Sequence, residues 1–191
     1  MKTKLTVLAF VLLNSFALHA ASPQDGKYQI DPDHSNVGFE VGHFAISQVV
    51  GRFDKFTGDI QFTPNGDSHV SVDVDMTSIN TKVAQRDSHL RSDNFFDTAK
   101  FPKMTFVSTK VTYDADGNPK TVEGQLTLHG VTKPLVLDVT TIGGGDVGGG
   151  EIHAGFKAAG KIKRSDFGMN KLLAVASDEV TVLLNVEAVR E

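Results

Sequence analysis

Five charged or titratable side chains, Arg86, Asp87, His89, Arg91 and Asp93, fall within eight residues, and Phe95, Phe96 and Phe101 follow closely. A guanidinium presents a planar fork that matches two oxygens of a phosphate or carboxylate. Phenylalanine rings beside such forks offer a surface to hydrocarbon. Arg86, His89 and Arg91 are therefore candidate contacts for an anionic or polar head, with Phe95 and Phe96 beside it. At helical spacing Arg86, His89 and Leu90 share one face, and Asp87 can pair with Arg91 four residues on. That pairing supports a second reading, in which the charges form an internal network that fixes a helix. Asn80 or Thr81 is placed to cap the helix and Ser92 to cap a further turn. Pro102 holds Phe101 extended and hands the chain to a strand. The stretch Thr81–Pro102 reads as a lid or mouth, or as a connecting helix anchored by phenylalanine.

Other chemistry is sparse. His34, His43, His69, His89, His129 and His153 form no HxxxH, HxH or HExxH pattern, and there is no cysteine. A zinc site from His34, His43 and His89 at a mouth is the minor reading; hydrogen-bonded structural histidines are the major one. No metal and no cofactor are expected. Ser35 beside His34, or Ser88 beside His89, raises the question of a hydrolase. Adjacent residues point apart and no nucleophile elbow occurs, so the chain is read as a non-enzyme, with a triad assembled through space as a remote alternative. Gly143–Gly150 holds six glycines but lacks the Lys-Ser/Thr of a phosphate loop, and a flexible hairpin loop is expected.

The rest of the chain must position these groups, and it alternates. Val37, Phe39, Val41 and His43 share one parity; Val70, Val72, Val74 and Met76 another set; Leu126 with Leu128, Leu135 with Leu137 and Val139, and Val180 through Val186 repeat the pattern. Val49–Phe62 reads as one long strand whose parity switch implies a bulge at Asp54–Lys55. Lys103–Thr112 is a strand with ambiguous faces, and Pro134 marks a strand beginning at an edge or a bulge. Ile152, Ala154, Phe156 and Ala158 form a strand lined with small residues. This is an all-β pattern of eight or nine antiparallel strands with one short helical insertion around residues 81–97. Closure into a barrel would remove the sheet edges.

Lys2 and Lys4 precede an apolar run, Leu5–Leu18, too short to span a bilayer, and Ala20–Ala21 offers small residues for cleavage. Residues 1–20 are expected to be a signal peptide and 21–191 one domain, soluble in the periplasm. Without Lys2 and Lys4, 17 basic residues face 23 acidic ones. Such a surface does not seek nucleic acid, and no later run suggests stable membrane insertion.

Several stretches, taken together, resemble the YceI-like family of secreted bacterial proteins. They are Tyr-x-Ile-Asp-Pro-x-His-Ser at Tyr28–Ser35, Val37-x-Phe39-x-Val41-x-His43, Gly51-Arg52-Phe53, and Ser78-Ile79-x-Thr81. Arg86-Asp87-x-His89-Leu90-Arg91-Ser92, Phe95-Phe96, Gly124-x-Leu126-Thr127 and Arg164-x-Asp166-Phe167-Gly168 continue the match. The resemblance implies an extended eight-stranded lipocalin-like antiparallel barrel around a long-chain amphiphile, such as a polyisoprenoid or a fatty-acid-like lipid. A ten-residue strand spans roughly 33 Å, enough for an extended tail. On this reading Val37, Phe39, Val41, His43, Phe53 and Ala154 face a ligand tunnel. Gly58, Gly124, Ala154 and Ala158 would leave space in it. Pattern alone leaves a filled, protein-interaction barrel equally open; the resemblance favours the tunnel. A homodimer is left open.

Overall fold

Inward apolar residues at every second position make each strand two-faced, and two-faced strands are stable only when the apolar faces enclose one another. The computed structural model describes residues 22–63 and 66–191; the expected signal peptide lies outside the described residues. The strands are β1 Gly26–Ile30, β2 Asn36–His43, β3 Ser47–Phe53, β4 Phe56–Phe62, β5 His69–Asp75 and β6 Ile79–Asn80. After the helix α1, Ala84–Arg91, come β7 Lys103–Tyr113, β8 Pro119–Leu128, β9 Val131–Asp146, β10 Ile152–Lys163 and β11 Ala176–Arg190.

These segments close into an eight-stranded antiparallel barrel because three of its staves are broken in two. β1 and β2 both pair with β11, through Ile30↔Ala188 and Asn36↔Asn185, so they form one stave interrupted at residues 31–35. β3 pairs with β2 and β4 with β1, and β5 and β6 continue the pattern against β4 and β3. β7, β8, β9, β10 and β11 complete the ring.

The first two breaks are satisfied from the neighbouring stave. At the first, the Asp31 N–H donates to Glu187 O at 2.9 Å, and the Ser35 hydroxyl donates to the same oxygen at 3.1 Å while accepting from Glu187 N–H at 2.9 Å. Ser35 thus stands in for a missing ladder residue, which occupies one of the two serine hydroxyls that the hydrolase alternative named. At the second, the expected bulge in 49–62 is a full break. Asp54 N–H donates to Ser78 O and Lys55 N–H to Ser78 Oγ, while Lys55 O accepts from Asp75 N–H. The parity switch is nevertheless as expected: Gly51 and Phe53, then Phe56 and Gly58, all face in. The ambiguous faces of β7 have a similar cause. A register shift between Ser108 and Lys110 lets Met104, Phe106 and then Val111 all turn inward.

One barrel end is packed solid by Tyr28, Phe62, Ala154, Phe156 and Ala188. α1 and residues 92–102 lie at the other end, the lid end.

Candidate functional site

The barrel encloses a cavity of about 240 Å³. Its wall takes Val37, Phe39 and Val41 from β2, Phe53 from β3, Val70 through Val74 from β5 and Val180 through Val186 from β11. α1 adds Leu90, and the following turn adds Phe95 and Phe96. Phe39 and Phe53 lie 5.9 Å apart between ring centroids, and Phe53 and Phe96 6.1 Å apart with edge-to-face geometry, so an aromatic row runs from wall to lid. Among the described residues, two charged or hydroxyl side chains, Ser68 and Arg164, line this space. An apolar cavity of this kind stays dry and takes hydrocarbon.

The lid is held by a network different from the one expected. Val83 occupies the N-cap position without a side-chain bond, and neither Asn80 nor Thr81 caps the helix. Instead the buried Asp87 carboxylate accepts Thr81 N–H at 2.8 Å and Thr81 Oγ1–H at 2.5 Å. Arg86 Nε donates to Thr81 Oγ1 and Nη2 to Thr81 O, both at 2.8 Å. Asp87 therefore binds backward to the chain before the helix, not forward to Arg91. A fixed backbone N–H six residues away offers a carboxylate better geometry than a long, half-exposed side chain.

The predicted site residues separate into two groups. Val37, Phe39, Val41, Phe53, Phe95 and Phe96 meet around the cavity. Arg86 is tied to Thr81, His89 is exposed with its ring edge-on to Phe95 at 5.0 Å, and Arg91 is half-buried; none of the three is in the cavity wall. His43 ends β2 with its ring 4.5 Å from that of Phe44. Ala154 faces inward but belongs to the packed end, and it is Ala158 that lines the cavity. Gly58 and Gly124 leave no free space either. A Cβ at Gly58 would meet Ile30 Cδ1 at 2.7 Å, the ring of Phe106 lies over Gly124, and that of Phe39 lies over Gly51. Among the described residues His34, His43 and His89 share no metal-ligand cluster: His34 bonds Asp31 at 2.7 Å beside Glu187, His89 packs against Phe95 and His43 against Phe44.

Arg164 is the group that sequence reasoning missed. It is buried, and Nε, Nη1 and Nη2 donate to the carbonyls of Ser177, Met169, Lys171 and Ala176 at 2.7–2.9 Å. Burial pulls its pKa down, and nearby Asp178 opposes that; the guanidinium stays charged. Four of its five N–H groups are used, which leaves one donor on a charged group in the wall of an apolar cavity. The available signal was a charge inside the motif Arg164-x-Asp166-Phe167-Gly168, surrounded by apolar positions.

A closed barrel with an apolar lumen, a buried cation in its wall and a phenylalanine lid is an architecture suited to binding an amphiphile. The YceI-like domain matches residues 28–188, and the chain belongs to that family. Protein YceI of Escherichia coli O17:K52:H18 is 41% identical over 194 residues, covering 100% of both chains. The crystal structure of the Campylobacter jejuni YceI protein is 35% identical with a TM-score of 0.71, over 84% of this chain and 96% of that one. A polyisoprenoid binding domain from Saccharophagus degradans, implicated in plant cell wall breakdown, shares the fold at 20% identity. Its TM-score is 0.62, over 86% of this chain and 98% of that one.

Proposed function

We propose that this protein carries a long-chain amphiphile, a polyisoprenoid or a fatty-acid-like lipid, with its tail in the barrel lumen. The observation that carries the reading is the apolar cavity running between the β2, β5 and β11 walls and the Phe95–Phe96 lid. The name of the Saccharophagus degradans neighbour supports an isoprenoid as the ligand class. Arg164 and its remaining N–H are assigned the polar head; Arg86, assigned that role from sequence, is given to the lid instead. Binding and transfer, not catalysis, is the activity, and no cofactor takes part. The Lys2/Lys4, Leu5–Leu18 and Ala20 pattern supports the periplasm as the compartment for this activity.

Native mass spectrometry of the purified protein, followed by titration of delipidated protein with a long-chain isoprenol and a long-chain fatty acid, tests the reading. A stoichiometric adduct and saturable uptake are expected. No adduct and no uptake would leave a filled interaction barrel. Subcellular fractionation tests the location, and recovery in the cytoplasm alone would overturn it; N-terminal sequencing of the exported protein tests cleavage, and a retained Met1 would overturn the signal peptide.

A further inference from the structure

Two turns at the lid end expose apolar side chains side by side. The β2–β3 turn carries Phe44, Ala45 and Ile46, with Phe44 54% and Ile46 85% exposed. The segment before β11 carries Leu172, Leu173, Ala174 and Val175, with Leu172 50% and Leu173 45% exposed. The turns are joined: Phe44 N–H donates to Val175 O at 2.8 Å, and Gly42 N–H donates to Ser177 Oγ at 2.9 Å. Phe44, Ala45 and Leu172 hold left-handed φ values of 50°, 57° and 56°, a conformation that costs energy in side chains of these types.

These side chains are not free to fold inward. Arg164 grips the carbonyls of Met169 and Lys171 on one side of the second turn and of Ala176 and Ser177 on the other. The turn between is presented outward by that grip. Just beneath the rim, Val41, Met169, Ala176 and Arg164 line the cavity, so the exposed patch runs into the apolar wall.

We infer that this rim, Phe44–Ile46 with Leu172–Val175, docks the barrel onto a lipid bilayer surface, with the lumen facing the source of its ligand. The purpose rests on the carrier reading; the docking surface itself does not. Seven residues on two narrow tips fall well short of the roughly 20–30 a side of a stable protein interface. Tips of that size suit insertion of a few side chains at the level of the headgroups. Charge agrees: residues 43–47 and 171–176 contain no acid in a chain of net charge −4, and His43 and Lys171 flank the apolar tips.

The test is co-sedimentation of the protein, without added ligand, with vesicles of mixed phosphatidylethanolamine and phosphatidylglycerol. Phe44→Asn/Ile46→Ser and Leu172→Asn/Leu173→Ser remove the apolar tips, and asparagine tolerates the left-handed φ. Ile142→Ser/Val147→Ser removes exposed apolar groups from the β9 end at the far side of the barrel. The unaltered chain and the far-side variant are expected to partition alike, and the tip variants to lose about tenfold or more in partition. Melting curves check that all variants fold. An unaltered chain that stays in the supernatant, or tip variants that sediment like it, would overturn the proposal. So would concentration-dependent self-association through the tips without vesicles, which would assign them to a second copy. Uptake of a long-chain fluorescent fatty acid delivered from cyclodextrin is measured in parallel. If uptake occurs without vesicle binding, docking fails and the carrier reading stands. If vesicle binding occurs without uptake, the carrier reading fails and docking stands.

Discussion

The Asp87 carboxylate closes onto Thr81, taking its backbone N–H at 2.8 Å and its hydroxyl at 2.5 Å. This pair anchors the first turn of α1 to β6 and so fixes where Leu90 and Phe96 enter the cavity. Asp87→Ala leaves a buried N–H without a partner, which costs about 1–3 kcal/mol. In a chain of this size each kcal/mol lowers Tm by about 2–4 °C. Hydrogen exchange is expected to rise across residues 81–101 first, and thermal melting should fall in step. Unchanged protection there would show that the lid is held by its phenylalanines instead.

The ring of Phe106 covers Gly124 on the neighbouring strand, and a Cβ at Gly124 would also meet Val107 O at 2.6 Å. Gly124→Ala therefore forces the ring toward the lumen it already lines. The expected outcome is a loss of about 1–3 kcal/mol, as for other overpacked cores, together with weaker uptake of a long-chain ligand. Denaturant unfolding and ligand titration of the same variant read the two effects separately.

Arg164 differs from surface arginines in its four carbonyl partners. Arg164→Lys keeps the charge but cannot span them, since an ammonium has three donors on one atom. The turn before β11 should loosen, seen as faster exchange at residues 169–177, and Tm should fall. If Arg164 also meets an anionic head, affinity for a fatty acid should fall more than affinity for the corresponding alcohol. Equal losses for both would confine Arg164 to the turn.

His34 and Asp31 form a solvent-exposed pair with opposite pH responses. The hydrogen bond to Asp31 raises the His34 pKa above its ordinary 6.5, and the bond to His34, with others, lowers Asp31 below 3.8. A raised histidine stabilises the fold fully below pH 6.5 and loses that contribution as pH climbs through the raised value. A lowered carboxylate contributes above pH 3.8 and loses it as pH falls through the lowered value. The pair is thus complete between those two limits. In an NMR titration the His34 midpoint should lie above that of an unpaired histidine and return toward it in Asp31→Asn.

Much of the barrel was legible because period-2 alternation reports directly which side chains face in. Val37, Phe39, Val41 and the Val180–Val186 run follow from parity alone, and all line the cavity. What parity does not carry is long-range pairing. The break at Asp54–Lys55 depends on Ser78 receiving the freed backbone groups, 23 residues on from Lys55. The partner of Asp87 is a backbone N–H, invisible to a search for opposite charges. Inward glycines suggested empty space, but whether space stays empty depends on the ring across the strand, as Phe106 over Gly124 demonstrates.

Ala154 and Ala158 stand four residues apart on β10 and face the same way, yet they meet different surroundings. Ala154 is 2% exposed among Tyr28, Phe62 and Ala188 at the packed end. Ala158 lies further toward the lid end, in the cavity wall. Inserting a ring at Ala154 overpacks a filled site, so Ala154→Phe should lose about 1–3 kcal/mol or more and lower Tm. At Ala158 the ring has the lumen to enter: Ala158→Phe in delipidated protein should melt at or above the unaltered temperature and lose uptake of the long-chain ligand. Gly155→Phe controls for orientation, since a Cβ there points outward and finds nothing nearer than Ile142 Cβ at 3.5 Å. It should change uptake little. The informative result is the contrast between two neighbours of one parity. If Ala158→Phe destabilises as much as Ala154→Phe and uptake by the unaltered protein is absent, the lumen is a core and the barrel is not a carrier.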